Sequence, residues 1–522
     1  MSENDITDER PELVFALAGP LGTRLSKLSE QLAKDLRGFG YEIMLIRVSA
    51  LLSGFHQDWV EPDGTSADVR VRHLQGIANA VRRRLQDGAA LARAAIIEIR
   101  RLRSKRSGHP DKAATGCAFI IDQLKHPEEA RLLRDTYGDA FHFVGGHASR
   151  DKRIEEFART IADSLDQAGQ YKACQSEAID LIETDDRSKD AFGQNMRDTY
   201  PEADVFIDLN PDYGERALSR FIELLFGHPF HTPTPEEYAM YLASAVSLRS
   251  SDSNRQVGAV IVNIAATADG TVRNADVLAV GMNEVPRAWG GFYWDQSSPD
   301  ARDQALPHDR GAKIKVSILT EIVERLRKRD CLGPQAATGD DGKLAREWLS
   351  ALEGTQFMNI GEFSRPVHAE MAAIIDAARR GVSVDGCSIY VTTFPCHNCA
   401  KHIIAAGLRR VVYLEPYPKS RAEDLYREEL ICDAPSGKMQ EGKVICCAYS
   451  GVAPRQCARL FSMDLRGAKR GLDLQMWGQS RASLRPLYVA DHLQQGYVQA
   501  ERLALEKLQG VGYVWDVVAI CP

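Results

Sequence analysis

Two short motifs constrain this chain more than anything else in it: His368-Ala369-Glu370 and Pro395-Cys396-His397-Asn398-Cys399. Each opens a stretch with helical patterning, Val367–Arg380 and Cys396–Ala406, and the strand-like run Ser388–Thr393 lies between them. Cys396 and Cys399 share one face at the start of their helix, where the helix dipole favours thiolate. Gly407 is placed to end that helix. An imidazole and two sulfurs suit zinc, and a three-donor set leaves one coordination position for water. The fold must therefore bring two helix starts together around one ion.

Glu370 adds chemistry to that set. Zinc lowers the pKa of a coordinated water to about 7, and a carboxylate beside it can take the proton and pass it on. Glu370 stands two residues after His368, close enough to reach that water without ligating the metal. The arrangement H-x-E…P-C-x-x-C is the signature of zinc nucleobase deaminases. The plainer alternative is a structural zinc or a redox pair. A structural site needs a further donor such as Cys432 or the pair Cys446-Cys447, and it has no use for the carboxylate.

The rest of the chain reads as α/β. Leu13–Ala18, Tyr41–Val48, Cys117–Asp122, Phe141–Val144 and Val205–Leu209 are strand-like runs separated by helical stretches, including a long one at Val71–Lys105. This alternation predicts a parallel sheet covered on both faces. GHPFHTPTP at Gly227–Pro235 marks a domain boundary. Beyond it come a helix at Pro235–Leu248, strands at Gln256–Val262 and Val277–Gly281, a polar insertion at 284–366, and a strand at Arg410–Leu414. The chain thus divides into domains at 11–228 and 232–465, with an extension at 466–522.

The formal net charge of −7 and the lack of a basic block go against a protein whose main task is gripping nucleic acid. The opening MSENDITDER is polar and acidic, unlike a secretory leader, and no apolar run approaches the roughly 20 residues of a membrane span. Eleven cysteines in such a chain point to reduced thiols and a cytoplasmic location. The cluster Arg100–Arg106 reads as the solvated face of a helix, with contact to RNA or phosphate as the alternative.

Further segments carry a resemblance. RQVGAVIV (Arg255–Val262), GMNEVP (Gly281–Pro286), HAEMAAI (His368–Ile374), TTFPCHNCAKHII (Thr392–Ile404) and EPYPKS (Glu415–Ser420) resemble deoxycytidylate deaminases of the cytidine deaminase superfamily. The resemblance implies a five-stranded sheet between helices (an α-β-α sandwich), Zn²⁺ as cofactor and deoxycytidine nucleotides as substrates. It also implies Asn283 as a contact to sugar or base, with Arg255, Tyr417 and Lys419 meeting ribose and phosphate. The plain reading of the last three is a solvated loop edge. AWGGFYWD (Ala288–Asp295) and DARDQ (Asp300–Gln304) in the insertion are read as a lid or nucleotide-sensing loop over the zinc pocket, or as an oligomer contact.

In the first half, ALAGPLGTRLSKL follows a strand and opens a helix, the setting of a phosphate-cradling loop. The Walker A pattern is degenerate: Leu17 takes the first glycine position and Thr23-Arg24 follows Gly22. Gly19, Gly22 and Thr23 are the candidate nucleotide contacts, and Asp122 is either a metal-side acid or a strand-end cap. The segment IDQLKHPEEARLLRDTYGDAFHFVGG looks like P-loop kinases, so 11–228 is read as a P-loop-kinase-like domain that binds nucleotide without the lysine needed for transfer.

The two-domain order resembles bacterial antiphage dCTP/dCMP deaminases, through SNRQVGAVIV, GMNEVPRAWGGFYW, EPYPKS and GVAPRQCARLF (Gly451–Phe461). That group implies conversion of dCMP and dCTP to dUMP and dUTP during infection, a regulatory nucleotide or small inhibitory RNA as control, and a homo-oligomer. Two other readings stand beside it. One is a deaminase of single-stranded nucleic acid, and the other is a silent nucleotide-binding regulator with a structural zinc.

Overall fold

The computed structural model describes residues 10–55, 65–186, 188, 191–209, 214–266, 272–334, 336, 338–353, 355–359, 361, 363–416, 420–433, 442–463 and, of the C-terminal part, 469–470, 473–474, 477, 481–489 and 493–508. Contacts divide the chain into two compact units. The first takes residues 1–237, 433–438 and 448–522; the second takes 238–432 and 439–447.

The first unit opens with β1 (Leu13–Ala18), α1 (Leu25–Gly38) and β2 (Glu42–Arg47). There follow α2 (Ala67–Leu85), α3 (Ala90–Ser107), β3 (Cys117–Asp122), α4 (Pro127–Tyr137), β4 (Phe141–His147), α5 (Arg150–Ser164), α6 (Gln175–Asp186), β5 (Val205–Asp208) and α7 (Gly214–Leu225). The strands pair in parallel in the order β5-β4-β1-β3-β2. Every residue of β1 is fully buried, as a central strand covered on both faces requires.

The expected long helix at 71–105 is in fact two. Gln86 adopts a left-handed φ of 50°, and the Asp87 carboxylate accepts from Ala89 N and Arg93 Nε to start the second helix. Gly88 belongs to that turn because a Cβ there would lie 2.3 Å from the His126 ring.

The second unit contains, apart from the first three residues of α8 and the last of β11, α8 (Pro235–Ser247), β6 (Gly258–Ala266), β7 (Val272–Met282), α9 (Arg310–Arg327), α10 (Asp341–Ala351), α11 (Ala369–Arg380), β8 (Ser388–Thr393), α12 (His397–Ala405), β9 (Arg410–Glu415), β10 (Leu430–Ile431) and β11 (Val444–Ala448). Its sheet runs β10-β11-β9-β8-β6-β7, with β6 antiparallel to both β7 and β8, and β8 parallel to β9. The short β10 makes it one strand wider than expected. Two glycines let helices sit flush on this sheet: a Cβ on Gly258 would lie 1.9 Å from Ala243 O, and one on Gly281 would lie 2.2 Å from Ala369 O. Gly281 thereby fixes the depth of α11, the helix that carries Glu370. Within the insertion, α9 and α10 pack on each other.

The chain then returns to the first unit with β12 (Gly451–Val452), α13 (Pro454–Phe461) and α14 (Leu493–Leu505). The sequence placed residues up to 465 with the second domain, but β12 pairs antiparallel with β5, and Arg455 binds Asp204 at 3.1 Å. The extension has a structural role as well. Its Glu501 reaches Arg103 at 2.6 Å and Arg100 at 3.2 Å, with Glu12 on the other side of Arg103 at 2.5 Å. Arg100 and Arg103 are buried, which corrects the reading of Arg100–Arg106 as a solvated face. Charges out of water persist only when paired, and α14 supplies the pair. The sequence of α3 held no sign that its acid lay near the other end of the chain. Among the described residues every cysteine is a free thiol, and no helix is long and apolar enough to cross a membrane.

Candidate metal and catalytic site

The two motifs meet, as their spacing predicts. His368 is the N-cap of α11 and Cys396 the N-cap of α12, so two helix N-termini converge on one point. His368 Nδ1 lies 3.2 Å from Cys396 Sγ and 3.4 Å from Cys399 Sγ. All three donor atoms fall within 4.8 Å of one another. The loop ahead of α12 is held in place by Ser420, whose Oγ donates to Pro395 O at 2.7 Å, and by Phe394 N donating to Glu415 O at 2.8 Å.

The three donors hydrogen-bond to one another. The Cys399 thiol donates to Cys396, whose pKa falls to about 4. The same contact and burial push Cys399 well above its ordinary value. The Cys396 sulfur in turn raises His368 to about 9. A dication between them takes the place of these protons, because zinc binds thiolate and neutral imidazole. The chemistry of the donor set therefore fits Zn²⁺. Cys432 and Cys446 contact each other, and among the described residues neither joins the donor group.

Glu370, in the first turn of α11, is only 3% exposed and is not one of the donors. Burial pushes its carboxyl up to about 7, and it lies in hydrogen-bond contact with Cys399. A carboxyl with that environment is suited to hold and release a proton near neutral pH.

Asn283 is buried beside the site and spends its amide on the backbone. Its Nδ2 donates to Arg255 O at 2.8 Å, and its Oδ1 accepts from Val257 N at 2.7 Å. It thus latches the loop that leads into β6. Arg255 is half-exposed and ion-paired with Glu415. Tyr417 and Lys419 lie outside the described residues. Among the nucleotide-contact candidates of the first unit, Gly22 has a φ of +84°, and a Cβ there would lie 2.3 Å from Arg153 O. Gly19 abuts Gly146 O, and Thr23 Oγ1 is buried without a hydrogen-bond partner. Asp122 is largely buried and its carboxyl is raised by that burial.

Sequence reasoning missed a cavity of about 640 Å³ between the 248–256 loop and the insertion. Arg249, Asp252, Gln256, Trp294 and Arg302 help to line it. The Arg249 guanidinium stacks 3.5 Å from the centroid of the Trp294 ring. Glu284 holds the same loop, accepting from Ser251 N at 3.0 Å and from Ser251 Oγ at 2.7 Å. The charge of Asp252 is felt at His368, which relates this cavity to the metal donors. The one available signal was the density of aromatics and glycines in AWGGFYWD.

The model of the cytidine and deoxycytidylate deaminase zinc-binding region matches residues 233–415. The deoxycytidylate deaminase of Enterobacteria phage T2 is 40% identical over 182 residues, which are 35% of this chain and 80% of that protein. The chain belongs to the deoxycytidylate deaminase family. Two other relatives are matched over less of their length. ComE operon protein 2 of Bacillus subtilis (strain 168) is 42% identical over 16% of this chain and 42% of that protein. The deoxycytidylate deaminase of Homo sapiens is 26% identical over 34% of this chain and 63% of that protein. The zinc-binding region of the family thus spans both halves of the observed donor set.

Proposed function

We propose that this chain hydrolyses deoxycytidine nucleotides, converting dCMP and dCTP with water to dUMP and dUTP plus ammonia. One observation carries the reading: a buried carboxylate that is not a donor stands beside a three-donor metal group to which, among the described residues, no fourth side chain adds. His368, Cys396 and Cys399 hold the zinc, which when bound supplies the Lewis acidity that makes hydroxide available near neutral pH. Glu370 takes one proton from the attacking water and gives it to the ring nitrogen, then takes the second proton from the added hydroxyl and gives it to the amine, which leaves as ammonia while the carbonyl forms. Asn283 keeps the 255–257 loop in place at the rim, and Arg255, Tyr417 and Lys419 are assigned to the nucleotide's sugar and phosphate. The similarity to a phage deoxycytidylate deaminase supports the substrate class.

The same reading places the activity in antiphage defence, where loss of dCTP starves phage replication. Its support is the resemblance of the two-domain order and of SNRQVGAVIV, GMNEVPRAWGGFYW, EPYPKS and GVAPRQCARLF to that group. The first unit is read as a P-loop-kinase-like domain, supported by the strand order β5-β4-β1-β3-β2 and by a glycine-containing turn between β1 and α1. A regulatory nucleotide at that domain or at the insertion, control by a small RNA, and a homo-oligomeric assembly belong to the same reading.

The deciding experiment offers the purified protein dCMP, dCTP, cytidine and a cytosine-bearing oligonucleotide, and follows uracil products. Deoxynucleotides are expected to react and the oligonucleotide to be spared, since the net charge of −7 suits a polynucleotide poorly. Product from the oligonucleotide alone moves the reading to nucleic-acid editing. Silence with every substrate moves it to a regulator with structural zinc. Deletion of residues 288–304 removes Trp294 and Arg302 from the cavity wall and is expected to raise KM and alter the response to dCTP. Unchanged kinetics and an unchanged nucleotide response in that deletion discard the lid.

A further inference from the structure

The turn between β1 and α1 carries an occupant of its own. Leu21 N, an amide that an anion-cradling turn presents to its ligand, donates instead to Asp185 Oδ2 at 2.7 Å. Lys125 Nζ lies 2.9 Å from each oxygen of that carboxylate and donates to Gly19 O at 3.0 Å. Asp185 is 1% exposed and Lys125 is 8% exposed, so this pair is sealed from water. The apolar side chain of Leu21 anchors the turn against Phe157, Ala158 and Leu181 of α5 and α6.

Two features mark the seat as built for more than one carboxylate. Arg153 is buried, and its Nε and Nη1 have no hydrogen-bond partner; its nearest acid is Asp186 at 3.6 Å. Thr23 Oγ1, on the same turn, is likewise buried and unpartnered. Such donors are costly to leave unmet and are the groups that phosphoryl oxygens satisfy. Asp185 and Asp186, moreover, end α6, and no basic residue stands in that last turn. The helix dipole disfavours carboxylates there, so Asp185 is held by Lys125 and the turn and not by its own helix.

We propose that Asp185 is an internal stand-in for phosphate that closes this seat, so that a phosphate-bearing ligand of the nucleotide or pyrophosphate class binds only by displacing it. The inference rests on the P-loop-like reading of the first unit and is independent of the deaminase chemistry. It makes the domain self-inhibited, with Lys125 the cation that either anion must engage.

The test titrates magnesium pyrophosphate and magnesium ATP into the full-length protein by calorimetry. Asp185→Ala is expected to bind at least tenfold more tightly than wild type, and the gain should vanish when Lys125→Met is added. Asp185→Asn keeps an acceptor for Leu21 N while removing the charge, so it guards against loss of folding and should shift in the same direction. Wild-type affinity equal to that of both variants, and abolished by Lys125→Met, overturns the closure while upholding a phosphate seat. Absence of binding in folded Asp185→Asn and Asp185→Ala overturns both.

Discussion

Glu370→Gln is expected to keep the wild-type zinc content and to deaminate dCMP about 10²–10⁴-fold more slowly, the range over which a positioned acid–base group contributes. The substitution preserves volume in a pocket that leaves the side chain 3% exposed, and it retains a hydrogen-bonding oxygen toward Cys399. The lost property is the ability to carry a proton. The His-Cys-Cys donor group does not include this residue, so metal content should not follow turnover downward. Metal analysis and ammonia release on the same preparation check both halves. Turnover close to wild type removes the proton shuttle from the proposal; joint loss of zinc and activity makes Glu370 a supporter of the metal group instead.

What the sequence revealed and what it hid separate along a physical line. Periodicity and punctuation are local, so β1, β3 and β8 lie where the apolar runs place them, and α11 and α12 begin at the expected motifs. The metal group was legible because spacing on a helix fixes Cys396 against Cys399, and chemistry requires a third donor. Tertiary pairing has no such local trace. Arg103 reads as a surface cation until Glu501, from the far end of the chain, is seen against it. The family resemblance implies Asn283 as a contact to sugar or base, and in the fold its amide donates to Arg255 O and accepts from Val257 N. The turn holding Gly19, Gly22 and Thr23 reads as a phosphate cradle, and only the fold shows Asp185 accepting from its Leu21 N. In each case a polar group awaited a partner that only the fold names.

Cys399→Ala should lose zinc, and with it all measurable turnover. Partners in the second shell of a metal site are typically worth 10–100-fold in affinity, so deletion of a direct, fully buried sulfur is expected to exceed about 100-fold. The loss extends to the fold around the site. Without the ion, His368 and Cys396 still face each other at 3.2 Å at the mouths of two helices, with the Glu370 carboxyl buried beside them. A dication neutralises the thiolates and relieves the crowding of acid and sulfur, so thermal stability should fall in Cys399→Ala and rise with added zinc only in wild type. The same measurement on Cys432→Ala and Cys446→Ala decides the structural-zinc alternative. Those two sulfurs contact each other and lie outside the donor group, so zinc per chain should be unchanged. Zinc lost on removal of either sulfur makes it a fourth donor, closes the position that water must enter, and leaves Glu370 with no water to deprotonate.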